Sequence, residues 1–288
     1  MMDQQLFNNV VTERIMDFLP PIYAGYKPET KKVNKVNEAK TALMLLPEDK
    51  GLCSATPMVY LEDMYELFQE KEDLDDTMKS IANIFMNNIY SPTEQEAVSF
   101  DFKSLKNRVV MEIINSERNE ELLSELPHRE VINMAVIYRV IMRLCDDGGF
   151  DSIIVNDHVL EEMGVDRSEV HELAMRNTTD IFEPVIMELS PKALMITNNF
   201  QTFGSSAMII SEVMEAVGKR LGTERMYIIP CSIHEFITVQ AEGTDLESLV
   251  AMLAKGNREF TRECDILSNC IYYYDLKEQK ISKAASYI

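Results

Sequence analysis

The sequence predicts an α+β protein, and two observations carry that prediction. Apolar residues switch between strand-like and helix-like spacing along the chain, and the last third follows the order β-α-β-β-α-β. This order is typical of a ferredoxin-like split βαβ arrangement, in which helices cover one face of a mainly antiparallel sheet. We therefore expect such a sheet in the C-terminal part and a small mixed α/β unit in the N-terminal part.

The composition is that of an ordinary folded protein. Of the 288 residues, 46% are hydrophobic and 26% are charged, and the net charge is 28 − 48 = −20. Nucleic acid and anionic membranes have the same sign of charge, so we expect neither as a direct partner. Five scattered cysteines without a Cys-x-x-Cys pair, and a polar N-terminus, predict a cytoplasmic protein.

The N-terminal elements follow from the spacing of apolar residues. Residues 5–19 predict an amphipathic helix, and the lysine-rich residues 26–36 predict an exposed edge strand beside a buried strand at 41–46. Residues 57–61 predict a third strand. From Glu62 the pattern indicates one long helix or two abutting helices.

The helical region begins with a strongly acidic stretch. Residues 62–76 contain eight carboxylates and one lysine. They form either a solvated helix face or a docking surface for a basic partner. Turn-forming residues at 87–93 then mark the predicted boundary between two domains, 1–92 and 93–288.

The second domain begins with elements that are harder to assign. Residues 100–114 predict a helix or a helix that runs into a strand. The remaining predicted elements are a helix at 117–126, strands at 131–144 and 152–155, a helix capped by Asp166 and Glu169, strands at 193–197, 226–229, 236–239 and 270–274, and helices at 206–221 and from Thr244 to Gly256.

The segment 228–235 (IIPCSIHE) is the most distinctive candidate site. If it is extended after Pro230, Ser232 and His234 share one face, and roughly 6 to 7 Å separates same-face neighbours. That distance is too long for a nucleophile and its base, so His234 requires a partner from elsewhere. The other interpretation is that Ser232 closes a turn and His234 satisfies backbone groups.

Two further segments have candidate binding residues. In residues 116–130, Arg118 or Arg129 is suited to hold a carboxylate or phosphate, with His128 as an acid–base or ligand group. The alternative is a helix with a local Arg–Glu pair and a loop histidine. In residues 198–206, backbone N–H groups and hydroxyls either cradle an anion at a helix start or simply cap that helix.

These segments carry a resemblance to a known family. Residues 116–140 and 226–239, together with the loop and helix between them, resemble an uncharacterised domain family common in anaerobic gut Firmicutes. The resemblance covers most of the chain and implies no activity. Its motif positions are Arg118, Asn119, Glu120, Pro127, His128, Pro230, Ser232, His234 and Glu235.

The leading hypothesis is a binding or regulatory module for a protein partner or a small ligand. Its cleft is expected where the loop before Ala207, the turn after Pro230 and the helix near Arg118 meet. The candidate ligand-binding residues are Arg118, Asn119, His128, Ser205, Ser206, Ser232, His234 and Glu235.

Two alternatives remain open. One is a metal-assisted or acid–base hydrolase that uses His128, His234 and Glu235. The four histidines lack metal-motif spacing, so neither a metal site nor a cofactor is assigned. The other alternative is an acidic protein that imitates nucleic acid and inhibits a basic partner.

Overall fold

The computed structural model describes residues 2–47, 58–88, 102–144 and 149–287. The chain divides into two compact units, Met1–Phe100 and Asp101–Ile288. The domain boundary predicted after residue 92 and most of the turn predicted at 146–149 lie outside the described residues. Helices combined with antiparallel sheets confirm the predicted α+β class.

The N-terminal unit packs helices against an antiparallel sheet of order β1-β2-β3. Strand β1 contains the exposed lysines and lies at the sheet edge, whereas β2 buries Leu43 and Leu45, as the sequence predicts. The acidic region forms two helices, because Glu72 adopts a left-handed conformation (φ 54°) that ends the first. The elements are α1 (Gln4–Arg14), β1 (Tyr26–Lys35), β2 (Glu38–Pro47), β3 (Met58–Tyr60), α2 (Leu61–Lys71) and α3 (Leu74–Asn88).

The C-terminal unit contains two antiparallel sheets around a shared hydrophobic core. In the smaller sheet, β6 pairs with β4 along one side and with β5 and β7 along the other. The elements are β4 (Val109–Asn115), α4 (Glu120–Ser124), β5 (Arg129–Val131), β6 (Met134–Leu144), β7 (Phe150–Ile154), α5 (Asp157–Met163), α6 (Arg167–Ile181), β8 (Pro184–Ser190), β9 (Ala193–Asn198), α7 (Ser211–Leu221), β10 (Arg225–Pro230), β11 (Phe236–Gln240), α8 (Leu246–Glu259), β12 (Cys270–Asp275) and β13 (Lys280–Ser286).

The larger sheet has the order β13-β12-β10-β11-β9-β8. Its antiparallel pairings make β9 parallel to β10 with β11 between them, and β11 parallel to β12 with β10 between them. Both helical connections are therefore split βαβ crossovers, as predicted. In a ferredoxin-like sheet the two crossovers lead toward opposite edges. Here both lead toward the β13 edge, although the strands from which they start, β9 and β11, run in opposite directions.

The prediction that helices cover one face of this sheet is wrong. Helix α7 packs on the face with Met226 and Ile228, whereas α8 packs on the opposite face with Ile229 and Ile271. The reason is the hand of the connections: two right-handed crossovers that move toward one edge from oppositely directed strands must place their helices on opposite faces.

Several helix limits differ from the predicted ones. The helix predicted at 206–221 is a 3-10 turn (Gly204–Ile209) followed by α7, because Ile210 is extended between them. Asp245, and not Thr244, accepts the capping hydrogen bonds of α8, which continues past Gly256 to Glu259. None of the described helices combines the length and apolarity needed to cross a bilayer.

Candidate functional site

The loop before α7 and the turn after β10 meet at Gly204. A Cβ atom there would lie 2.4 Å from the carbonyl oxygen of His234 and 2.9 Å from the Cα of Thr197, so only glycine fits without displacing backbone. The Ser205 N–H also donates to the Ile233 carbonyl at 3.3 Å. Residues 203–206 and 231–235 therefore form one unit, which we call the His234 junction.

Both ring nitrogens of His234 have hydrogen-bond partners. Nδ1 accepts the backbone N–H of Phe203 at 3.3 Å, and Nε2 lies 3.3 Å from a carboxylate oxygen of Asp265. Because Nδ1 accepts, the geometry assigns the proton of the neutral ring to Nε2, which then donates to Asp265. The second carboxylate oxygen of Asp265 accepts from Arg262 at 2.7 Å.

Ser232 closes the turn that contains His234. Its Oγ accepts the His234 N–H at 3.0 Å and donates to the Glu235 carboxylate at 3.3 Å, while its own N–H donates to the Glu235 carbonyl at 3.1 Å. The contacts match the turn-closing interpretation of Ser232. Neither Ser232 nor Glu235 is paired with the His234 ring in these contacts.

The hydroxyls of Ser205 and Ser206 face the interior. Ser205 Oγ donates to the Ser232 carbonyl at 2.7 Å, and Ser206 Oγ lies within hydrogen-bond distance of the Phe203 and Met111 carbonyls. Both residues are buried, and α7 begins only at Ser211. These hydroxyls therefore contribute to packing and do not line an anion cradle at the start of α7.

The two polar segments predicted from sequence both bind residues 261–269, here called the 261–269 segment. From the His234 junction, the Ile233 N–H donates to the Asp265 carbonyl at 2.9 Å. From the other side, Arg118 Nη1 lies 3.4 Å from the Glu263 carbonyl and 3.8 Å from its carboxylate. The 261–269 segment thus connects Arg118 with His234.

Buried asparagines hold this segment, and sequence analysis missed most of them. Asn115 donates to the Leu267 carbonyl at 3.1 Å, and Asn257 donates to the Ser268 carbonyl at 2.9 Å. The predicted residue Asn119 acts indirectly, because its amide donates to the Asn115 carbonyl at 2.7 Å. Isolated asparagines at the ends of elements give no sequence signal for partners so distant along the chain.

His128 lies in a different environment. It lines an open pocket of about 370 Å³, where its Nε2 is 3.5 Å from the Glu130 carboxylate and its Nδ1 is 2.9 Å from the Leu126 carbonyl. The other lining residues are Ser116, Glu117, Glu120, Leu123 and Ser124. None of the described contacts of His128 involves the His234 junction.

Cys231 is not an activated nucleophile. Burial raises the pKa of its thiol to about 12, and the nearby Glu235 carboxylate acts in the same direction. At neutral pH the side chain is therefore a protonated thiol, whereas a reactive cysteine needs a lowered pKa.

A charged pair lies beneath the loop. Glu112 is buried and pairs with Arg139, whose guanidinium is 4.9 Å from the centre of the Phe203 ring. The ring of Phe203 in turn packs with Phe150 and Phe182. One carboxylate oxygen of Glu112 has no hydrogen-bond partner among the described residues.

Part of the acidic stretch is used inside the N-terminal unit. Glu62 accepts the Thr41 N–H, Asp63 pairs with Lys40, Asp76 pairs with Lys71, and Asp73 caps α3. Asp75 lies 3.8 Å from Arg14, so five of the eight carboxylates have local partners. This fits the solvated-face interpretation better than a uniform docking surface.

The polar groups of the site form hydrogen bonds with one another and with the backbone. In the part of the chain that the structure describes, no three His, Cys, Asp or Glu side chains converge as metal ligands do. His234 has no ring nitrogen left for a substrate while its two contacts persist.

Searches of curated proteins and of solved structures each found no match. A family model does match, over residues 4–192 and 190–276, and its description is a family of unknown function, DUF5688. These ranges include both motif segments and the 261–269 segment. The chain therefore belongs to the DUF5688 family of unknown function.

Proposed function

We propose that the C-terminal unit is a non-catalytic binding module that presents Phe260 to a protein partner. The observation that carries this proposal is the exposure of Phe260, which is 78% at the C-terminal end of α8. The side chain directly precedes the 261–269 segment, so it projects from a well-anchored position.

The neighbouring side chains have the composition of an interaction surface. Arg258 and Arg262 flank Phe260, and their side chains are 73% and 76% exposed. Aromatic residues and arginines are enriched among the residues that dominate binding energy at interfaces. The expected partner is a protein with an apolar pocket bordered by carboxylates, because those would complement Phe260 and its arginines.

Anchoring supports binding because a fixed aromatic loses little entropy on association. The segment after Phe260 is held at Thr261, whose hydroxyl donates to the Cys231 carbonyl at 3.1 Å, and at Asp265. A hydrolase with His234 as its base receives less support, since that ring holds the framework together.

Site-specific photocrosslinking tests the proposal. A photoreactive p-benzoylphenylalanine at position 260 should form a covalent adduct with a discrete partner in an extract of the source cells. Unlabelled wild-type protein should suppress that adduct, and unlabelled Phe260→Ala should not. The matched control is the same photoreactive residue at Ile22, which is 76% exposed in the N-terminal unit. Equal adducts from both positions, or none from position 260, would contradict the proposal.

A further inference from the structure

The contact between His234 and Phe203 holds an unfavourable backbone conformation. Phe203 has φ 58° and ψ 19°, in the left-handed region that a bulky residue rarely adopts. Gln201, two residues earlier, also has a positive φ of 53°. Loop 199–203 therefore needs tertiary contacts to keep its shape. One of them is the hydrogen bond that the Phe203 N–H donates to His234 Nδ1.

This hydrogen bond requires an unprotonated Nδ1. An imidazolium has hydrogens on both nitrogens and accepts at neither. On proton uptake, Nδ1–H and the Phe203 N–H would be two donors facing each other. The bond from Nε2 to Asp265 would instead become an ion pair, so the charged ring keeps Asp265 and loses Phe203.

The charges around the ring favour an imidazolium that stays bound to Asp265 and releases Phe203. Asp265 attracts the imidazolium, although Arg262 is bound to the same carboxylate and partly offsets the attraction. On strand β9, the uncharged hydroxyl of Thr197 donates to the His234 carbonyl. Among the described residues, further titratable or charged groups near the ring are Glu235 on its own turn, Cys264 beside Asp265, and Arg139, whose guanidinium lies over the Phe203 ring.

We propose that His234 is a proton-controlled contact: protonation releases loop 199–203 and exposes the aromatic cluster of Phe150, Phe182, Phe200 and Phe203. The rings of this cluster lie between 5.3 and 6.4 Å apart in the closed state. Release uncovers apolar area, which makes the opened form a binding surface for apolar ligands under mildly acidic conditions. The inference does not depend on a partner for Phe260.

Amide exchange and a hydrophobic dye measure this opening. When the pH is lowered from about 7.5 to about 5.5, the Phe203 amide should exchange at least about tenfold faster, after correction for the intrinsic rate. Fluorescence of the dye 8-anilinonaphthalene-1-sulfonate should rise over the same interval. His234→Asn retains a non-titrating acceptor oxygen near the position of Nδ1, so both changes should disappear. His128→Gln removes a histidine elsewhere and should preserve them.

The ring tautomer gives a second measurement that needs no variant. Nitrogen-15 shifts of His234 at about pH 7.5 should show a proton on Nε2 and a bare Nδ1. A neutral ring protonated at Nδ1 would overturn the proposal, as would an unchanged Phe203 exchange rate on acidification or the same acid-induced opening in His234→Asn.

Discussion

The His234 junction and the pocket around His128 look alike in sequence but differ in structure. Both combine a histidine with serine and glutamate side chains and a preceding proline. At the junction, the histidine ring, the serine hydroxyls and the backbone bond to one another. Around His128, the side chains of Glu117, Glu120 and Glu130 border an open pocket and are exposed.

The difference shows what a polar motif can mean. A cluster of polar residues is stabilising when its groups satisfy one another inside the fold, and it is available for ligands only when they face solvent. Substitutions in the junction should therefore lower stability, whereas equivalent substitutions around the pocket should leave stability nearly unchanged.

The largest effect is expected for Gly204→Ala. The added methyl group would clash with backbone atoms of His234 and Thr197, and overpacking of this kind costs about 3 kcal/mol of unfolding free energy. Urea denaturation measures the loss. Gly256→Ala in α8 is the control, because no atom lies within 4 Å of its added Cβ, and it should stabilise the protein by about 0.5 kcal/mol. Equal effects of the two substitutions would show that the close backbone approach at Gly204 does not constrain that position.

Asn115→Ala, which removes an anchor of the 261–269 segment that binds the junction, should follow with a loss of about 2 kcal/mol. Asn115 is 5% exposed; its side chain donates to the Leu267 carbonyl and accepts the Arg118 N–H at 2.8 Å, so its removal leaves a buried carbonyl and a partly buried N–H unpaired. Ser124→Ala at the pocket should change the unfolding free energy by less than about 0.5 kcal/mol. A similar loss in both variants, measured by urea denaturation, would contradict the comparison.

Cys231 provides a chemical test of the closed junction. With its pKa raised to about 12, the thiol should react with iodoacetamide near neutral pH at least about 30-fold more slowly in the folded protein than in urea. Peptide mapping by mass spectrometry follows this one residue. Rapid alkylation of the folded protein at Cys231 would show that the junction opens readily.

The smallest effect concerns His171, whose Nδ1 lies 3.1 Å from the Tyr138 hydroxyl. Burial lowers the pKa of His171, so the unfolded chain binds its proton more readily than the folded protein. The contribution of His171 to folding stability is therefore fully present above the ordinary histidine pKa. It is lost as the pH falls through the lowered pKa of the folded protein. Denaturation at several pH values should show a shallower loss of stability on acidification in His171→Gln than in wild type; identical curves would refute this.

The elements of the fold were predictable because apolar periodicity reports them directly. The edge position of β1, the buried β2 and the capping of α6 by Asp166 follow from local residues. The faces of α7 and α8 were not predictable in this way. The order β-α-β-β-α-β is the same whether the first of its four strands lies between the others or outside them, and only tertiary packing decides between these arrangements.

The site was predictable only in part, for a similar reason. The segment 228–235 and Arg118 stand out as polar residues at the ends of elements. Their respective partners, Asp265 and Glu263, lie in a short 3-10 turn that has no distinctive sequence pattern. Asn115 is separated from Leu267 by 152 positions. Composition and spacing act over short distances along the chain, so they cannot identify such pairs.

The strand order of the larger sheet also bears on how the protein folds. Strands β8–β9, β10–β11 and β12–β13 are three consecutive hairpins placed side by side, each with its pairings close together in sequence. Each hairpin can form locally, at a low loop-closure cost, before the sheet is complete. Helix α7 on one face and α8 on the other then enclose the central hairpin, so lateral docking of the outer hairpins would be the slow, cooperative step of assembly.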